Sequence, residues 1–227
     1  MVDNIYSDEE VQHILTLINN ADSSHETFRK TNDLFAIRQF LKEIPSTLDL
    51  IFTNNLKVMM KEIMGERFFV VKSIYFDKPE SSNWYVSYHQ DLTISVDKKI
   101  ESIGFGPWTN KQNQFAVQPP IEFLESITTI RIHLDDTDEN NGALRVIPKS
   151  HLKKIYRPET INWEHETETT CSVKRGGVML MKPLTLHSSG RTTNGKKRRV
   201  IHIEFSSQEL PAELNWSERI NVSEFMH

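Results

Sequence analysis

Residues 198–205 read RRVIHIEF, and how this octapeptide is read decides the fold. Successive side chains of an extended strand point to opposite faces. Arg198, Val200 and His202 then share one face, and Arg199, Ile201, Ile203 and Phe205 share the other. The apolar back face has to be covered, and the charged front face has to line something polar. The pattern predicts a sheet with helices packed on its outside and a cavity within.

The covering helices are expected upstream. Ser7 and Glu10 form an S-x-x-E capping box, followed by Val11, Ile14, Leu15 and Ile18 at helical spacing. A second stripe, Leu34, Ile37, Phe40, Leu41 and Ile44, stops at Pro45, which a helix interior does not accept. A third, Leu56, Met59, Met60 and Ile63, ends at Gly65, a C-cap residue. Beyond Gly65 the chain turns β-branched and aromatic (RFFVVKSIYF), with the turn clusters KPESSN, ENNGA, RGG and SSGRTTNG. Helices followed by many strands predict an α+β protein built on a sheet sandwich or barrel. We expect one domain over 1–227, with a helical cover at about 1–65, a β core at 66–206 and a C-terminal tail at 207–227.

Composition narrows the functional classes. With 37% hydrophobic and 26% charged residues in 227, the chain has an ordinary globular makeup and enough length for a substantial core. A net charge of −4 argues against a nucleic-acid partner, and strand alternation splits the basic run KKRR at 196–199. One cysteine, Cys171, excludes an internal disulfide framework and a multi-cysteine zinc site. The acidic N-terminal segment is unlike a signal peptide, and no apolar run reaches membrane-spanning length. A cytoplasmic location and no membrane partner are expected; oligomeric state is not readable.

A second stretch, SYHQDLTISV at 87–96, raises a chemical question. On a strand His89 and Asp91 share a face and Gln90 takes the other. Either the pair hydrogen-bond each other or they jointly grip something. Two imidazoles and one carboxylate on one side of a metal is the arrangement of non-haem Fe(II) sites. His187, at the end of the hydrophobic strand in VMLMKPLTLH, and Arg198, eleven residues later, are expected on neighbouring strands facing the same cavity. Arg131 and His133 share a face of TIRIHL, where Arg131 meets either an anionic group of the substrate or co-substrate or an acidic loop residue. Gln118 contacts substrate or satisfies a loop backbone. Trp84 and Tyr88 flank the H-Q-D strand as pocket or core residues, and His151 reads as structural.

H-Q-D at 89–91, NNGALRVIPKSH at 140–151 and LHSSG…RR from 186 together resemble the phytanoyl-CoA dioxygenase family. The similarity runs from about Lys72 to Phe205, with PKSH where relatives often have P-G-S-H. That resemblance implies a double-stranded β-helix (jelly-roll, cupin-like) core and an Fe(II)/2-oxoglutarate-dependent dioxygenase that consumes O2. It implies His89, Asp91 and His187 as iron ligands, and Arg198 with Ser189 on the 2-oxoglutarate C5 carboxylate. Lys72 is carried over as a further co-substrate contact. The presence of Asp91 favours hydroxylation over halogenation. The expected substrate is a small, polar or anionic molecule, with Arg131 and Gln118 as candidate contacts. The rival expectation is a jelly-roll metal-binding protein, a cupin-like isomerase or sensor, without oxygenase activity.

Overall fold

The computed structural model describes residues 1–31, 35–80, 85–111 and 114–222. Leu34 and Trp84 lie outside the described residues. The N-terminal part comprises α1 (Asp8–Asn19), β1 (Phe28–Lys30), β2 (Phe35–Arg38), α2 (Phe40–Glu43), α3 (Leu48–Ile51) and α4 (Asn54–Met64). Next come β3 (Phe69–Lys78), β4 (Val86–His89), β5 (Ile94–Val96), β6 (Trp108–Lys111), β7 (Gln114–Val117) and α5 (Ile121–Ser126). The remainder is β8 (Thr128–His133), β9 (Leu144–Val146), β10 (Thr169–Cys171), β11 (Val178–Met181), β12 (His187–Ser189), β13 (Arg198–Ser206) and β14 (Ile220–Asn221).

Two sheets make the jelly roll. The larger has the order β1-β2-β3-β13-β8-β11, with β14 also paired to β3; the smaller has the order β10-β9-β12-β4, so the strands of His187 and Arg198, expected as neighbours, lie in different sheets. A third sheet, β5-β7-β6, stands beside them. Every pairing is antiparallel, and β13 at the centre of the larger sheet is bonded on both sides, to β3 and β8.

The outer face of that sheet is apolar, as the alternation requires. Ile201, Ile203 and Phe205 of β13 and Ile130 and Ile132 of β8 join one buried cluster with Val11, Ile14, Leu15 and Ile18 of α1 and with Leu56 and Met60 of α4. Each such side chain contributes roughly 1.5–3 kcal/mol by leaving water. The start of α1 is fixed by its capping box: Glu10 N–H donates to Ser7 Oγ at 3.2 Å, and Ser7 N–H donates to Glu10 Oε2 at 2.7 Å. Gly65, at φ 78°, ends α4 as expected, although Ile63 of the predicted stripe is exposed.

The helix expected from Leu34 to Ile44 needs correction. Phe35–Arg38 is a strand, Gln39 turns through φ 51°, and only Phe40–Glu43 is helical. Ile37 is fully buried. What selects the strand is β3, whose backbone groups at Ile74–Asp77 are paired by β2. Within the stretch expected as a tail, the described residues 207–222 dock on the core. Trp216 bridges to Val96, Asn215 N–H donates to Asp97 at 3.0 Å, and the buried Glu218 carboxylate accepts from Ser73 N–H at 2.6 Å. Among the described residues, no helix is long and apolar enough to cross a membrane.

Candidate active site

The smaller sheet brings two histidines together. His89 ends β4, His187 begins β12, and the two are direct cross-strand partners with ring centroids 4.2 Å apart. Asp91 follows the end of β4, its N–H donating to Pro183 O at 2.9 Å. Its two carboxylate oxygens lie 3.9 Å from His89 Nε2 and 3.9 Å from His187 Nε2. That separation is too long for a hydrogen bond. Both imidazoles instead donate from Nδ1 to backbone carbonyls, His89 to Ser87 O at 2.9 Å and His187 to Thr185 O at 2.8 Å. With the proton on Nδ1, each Nε2 lone pair faces the carboxylate. One donor atom from each residue falls within 4.8 Å of the other two. Two neutral nitrogens and one anionic oxygen so arranged fit a divalent first-row ion.

Electrostatics keep His187 and Asp91 in their ligating forms. Burial lowers His187 to about 4, against the opposing pull of Asp91. Burial raises Asp91, but His187, Lys72, His202 and His89 outweigh it and hold the carboxyl at about 2. Near neutral pH the imidazole of His187 is therefore neutral and Asp91 ionised. Gln90 turns to the other face and stitches the H-Q-D segment to its surroundings. Its amide donates to Leu184 O at 2.6 Å and Lys154 O at 2.8 Å and accepts from Tyr156 N–H at 2.8 Å.

A cavity of about 220 Å³ separates this cluster from the inner face of the larger sheet. Arg198 and Ser189 line one part of it, and both donate to the carbonyl of Gly142, Ser189 Oγ at 3.0 Å. Gly142 is the glycine of the Asn-Gly turn. Its φ is +84°, and a Cβ there would stand 2.7 Å from Gly190 O, so no other residue fits the corner beside Arg198. Further along the same face runs a chain of bonded side chains. Arg131 Nη1 donates to His202 Nδ1 at 3.0 Å, His202 Nε2 donates to Glu204 Oε1 at 3.1 Å, and Lys72 Nζ donates to the same oxygen at 2.8 Å.

His202 and Glu204 were not expected as site residues, although continuing the 198-200-202 alternation reaches 204. Lys72 lines the cavity but is not brought to Arg198. The register sets Lys72 opposite Glu204, whereas Arg198 faces Lys78. Gln118 is not among the cavity-lining residues; its backbone pairs with Gly106 and Pro107. His133 shares the face of Arg131 and is buried, with Nδ1 donating to Thr137 Oγ1 at 2.8 Å. His151 sits on a short 3-10 turn away from the cluster, and Tyr88 points to Glu168 and Trp163.

A jelly roll with two histidines and one carboxylate clustered on its smaller sheet, opposite buried arginines, defines the non-haem 2-oxoglutarate-dependent oxygenases. Within that class the chain belongs to the phytanoyl-CoA dioxygenase (PhyH) family, whose model matches residues 1–200. It is 24% identical over 238 residues to a probable alpha-ketoglutarate-dependent hypophosphite dioxygenase of Stutzerimonas stutzeri, covering 92% of this chain and 74% of that one. Its fold is similar to that of HygX from Streptomyces hygroscopicus, solved with nickel, 2-oxoglutarate and hygromycin B (TM-score 0.63, 12% identity, 99% and 93% of the two chains). It is also similar to the epimerase SnoN in complex with Fe3+, alpha ketoglutarate and nogalamycin RO (TM-score 0.64, 13% identity, 90% and 77%).

Proposed function

We propose that this chain is an Fe(II)- and 2-oxoglutarate-dependent dioxygenase that hydroxylates a C–H bond of a small molecule, with succinate and CO2 as co-products. The observation that carries the reading is the His89–Asp91–His187 cluster, whose Nε2 atoms face Asp91 at 3.9 Å while both Nδ1 protons are held by backbone carbonyls. When bound, iron supplies the oxidising chemistry: one atom of O2 enters succinate as 2-oxoglutarate loses CO2, and the other enters the substrate C–H bond.

The protein's part is binding, orientation and dryness. His89, Asp91 and His187 hold the ion on one side, and a single carboxylate leaves it positive enough to attract an anionic co-substrate. Arg198 and Ser189 take the C5 carboxylate, through the guanidinium fork and a hydroxyl. Val86, Leu144 and Phe76 line the same cavity and limit water near the reacting atoms. Asp91 occupies a ligand position that halogenation would need open, which supports hydroxylation.

The test is an anaerobic titration of the apo-protein with Fe(II) and then 2-oxoglutarate, followed by visible absorption. A charge-transfer band in the wild type, lost in Asp91→Ala and weakened in Arg198→Ala, is expected. Metal binding without a band would instead favour a metal-binding jelly roll lacking oxygenase activity. Because one structural relative is an epimerase, the product needs direct identification once a substrate is found.

A further inference from the structure

The cavity contains one guanidinium more than 2-oxoglutarate needs. Arg145, Arg175, Arg199 and Arg219 each meet a carboxylate near the surface. Arg131 and Arg198, only 7% and 5% exposed, form no ion pair within 4 Å among the described residues, and both line the cavity. A buried cation with no counter-charge is costly and persists where a ligand supplies the anion. Arg198 has such a ligand in the C5 carboxylate. Arg131 feels the Asp91 carboxylate only at a distance, and among the described residues its Nε is buried without a hydrogen-bond partner.

Its orientation is built rather than incidental. Glu204 accepts from Lys72 and from His202 Nε2, which leaves His202 Nδ1 as the acceptor for Arg131 Nη1. One end of the guanidinium is thereby pinned, and Nε is left unpaired. The fork lies one imidazole from the iron cluster, since donor atoms of Asp91, His202 and Glu204 fall within 4.8 Å of one another.

Charge points the same way. Lys72, Arg131 and Arg198 line the cavity against one lining carboxylate, Asp91, and a second, Glu204, bonded behind Lys72 and His202. A divalent ion together with doubly charged 2-oxoglutarate adds no net charge, so uncompensated positive charge remains. The space is small as well: about 220 Å³, against roughly 300–1,000 Å³ for sites of drug-sized ligands.

Resting on the oxygenase reading, we propose that the substrate is a small anion whose charged head is held by Arg131, with the oxidised atom close to that head. His202, Glu204 and Lys72 are positioning residues that aim the guanidinium.

The experiment is calorimetric binding to the Mn(II)- and 2-oxoglutarate-loaded protein. The probes are acetate, methanesulfonate, methylphosphonate and hypophosphite, beside the neutral acetamide and dimethyl sulfoxide. The wild type is expected to bind at least one anion and neither neutral probe. Arg131→Met should weaken that binding at least tenfold, and Arg131→Lys should retain part of it. The anaerobic Fe(II)·2-oxoglutarate band should survive Arg131→Met and be lost or weakened in Arg198→Met, which also reports that the Arg131 variants are folded. His202→Phe should weaken the anion and leave the band. Anion binding unaffected by Arg131→Met, or no anion bound by the wild type, would overturn the proposal. Loss of the band in Arg131→Met would overturn it too, by assigning Arg131 to the co-substrate. Absence of the band in the wild type would instead count against the oxygenase reading itself.

Discussion

The two faces of β13 are buried almost equally and for opposite reasons. On the outer face Ile201, Ile203 and Phe205 are 0–1% exposed, and on the inner face Arg198, His202 and Glu204 are 2–5% exposed. Outer-face burial removes apolar surface from water and stabilises the fold. Inner-face burial strips hydration from charges, which is why burial lowers the pKa of Arg198, with repulsion from Arg131 added. One strand thus carries a stabilising side and a costly side, and the costly side is the one that faces the His89–Asp91–His187 cluster. What distinguishes function from packing here is the kind of group buried, since the degree of burial is the same.

The largest effect should come from the cluster that the costly face serves. Asp91→Ala removes the one carboxylate of the His89–Asp91–His187 cluster, so under the proposed function succinate formation should fall to background and bound iron should be lost by metal analysis. A protein that still turned over would break the comparison, because the inner face would then have nothing to serve. On the outer face, Phe205→Ala should cost about 3–5 kcal/mol of stability, as large-to-small core changes do, while metal binding in the folded fraction persists. Chemical denaturation with a parallel iron titration separates the two outcomes.

A third site tests the buried-charge argument away from the His89–Asp91–His187 cluster. Burial outweighs the Ser73 donors and Lys42 and holds Glu218 up at about 7. A carboxyl raised in the folded state contributes its full stability below its unfolded value, near 4.5, and loses it as pH climbs through the folded value. Stability of the wild type relative to Glu218→Gln should therefore fall by up to about 3 kcal/mol between pH 4.5 and 7, then level off. A flat difference across that window would show that the Ser73 N–H and hydroxyl donors, at 2.6 and 2.5 Å, win instead.

The same contrast explains what could be read from sequence. Alternation at 198–205 and the capping box at Ser7 are local signals, and both faces of β13 and the start of α1 came out as read. H-Q-D and the resemblance it anchors named His89, Asp91 and His187, which the structure brings together. The strand Phe35–Arg38 was not legible, because Ile37, Phe40, Leu41 and Ile44 satisfy a helical spacing and only pairing with β3 selects otherwise. The Arg131–His202–Glu204–Lys72 chain was equally hidden. It depends on a register that joins residues 132 apart in sequence, which no local pattern encodes.

The smallest expected effect on stability is also the most discriminating. Arg198→Met replaces a buried guanidinium that meets no carboxylate with an apolar chain of similar length. If the inner face is costly, folding stability should stay level or rise by about 1 kcal/mol, because desolvation of the charge is relieved and, among the described residues, only the bond to Gly142 O is lost. In the same variant, affinity for 2-oxoglutarate should fall by tens of fold, since charge-assisted hydrogen bonds contribute roughly 1.5–3 kcal/mol. The two readouts must move apart. A stability loss comparable to that of Phe205→Ala would mean that Arg198 is part of the scaffold, and the two faces of β13 would then not differ in the way their chemistry implies.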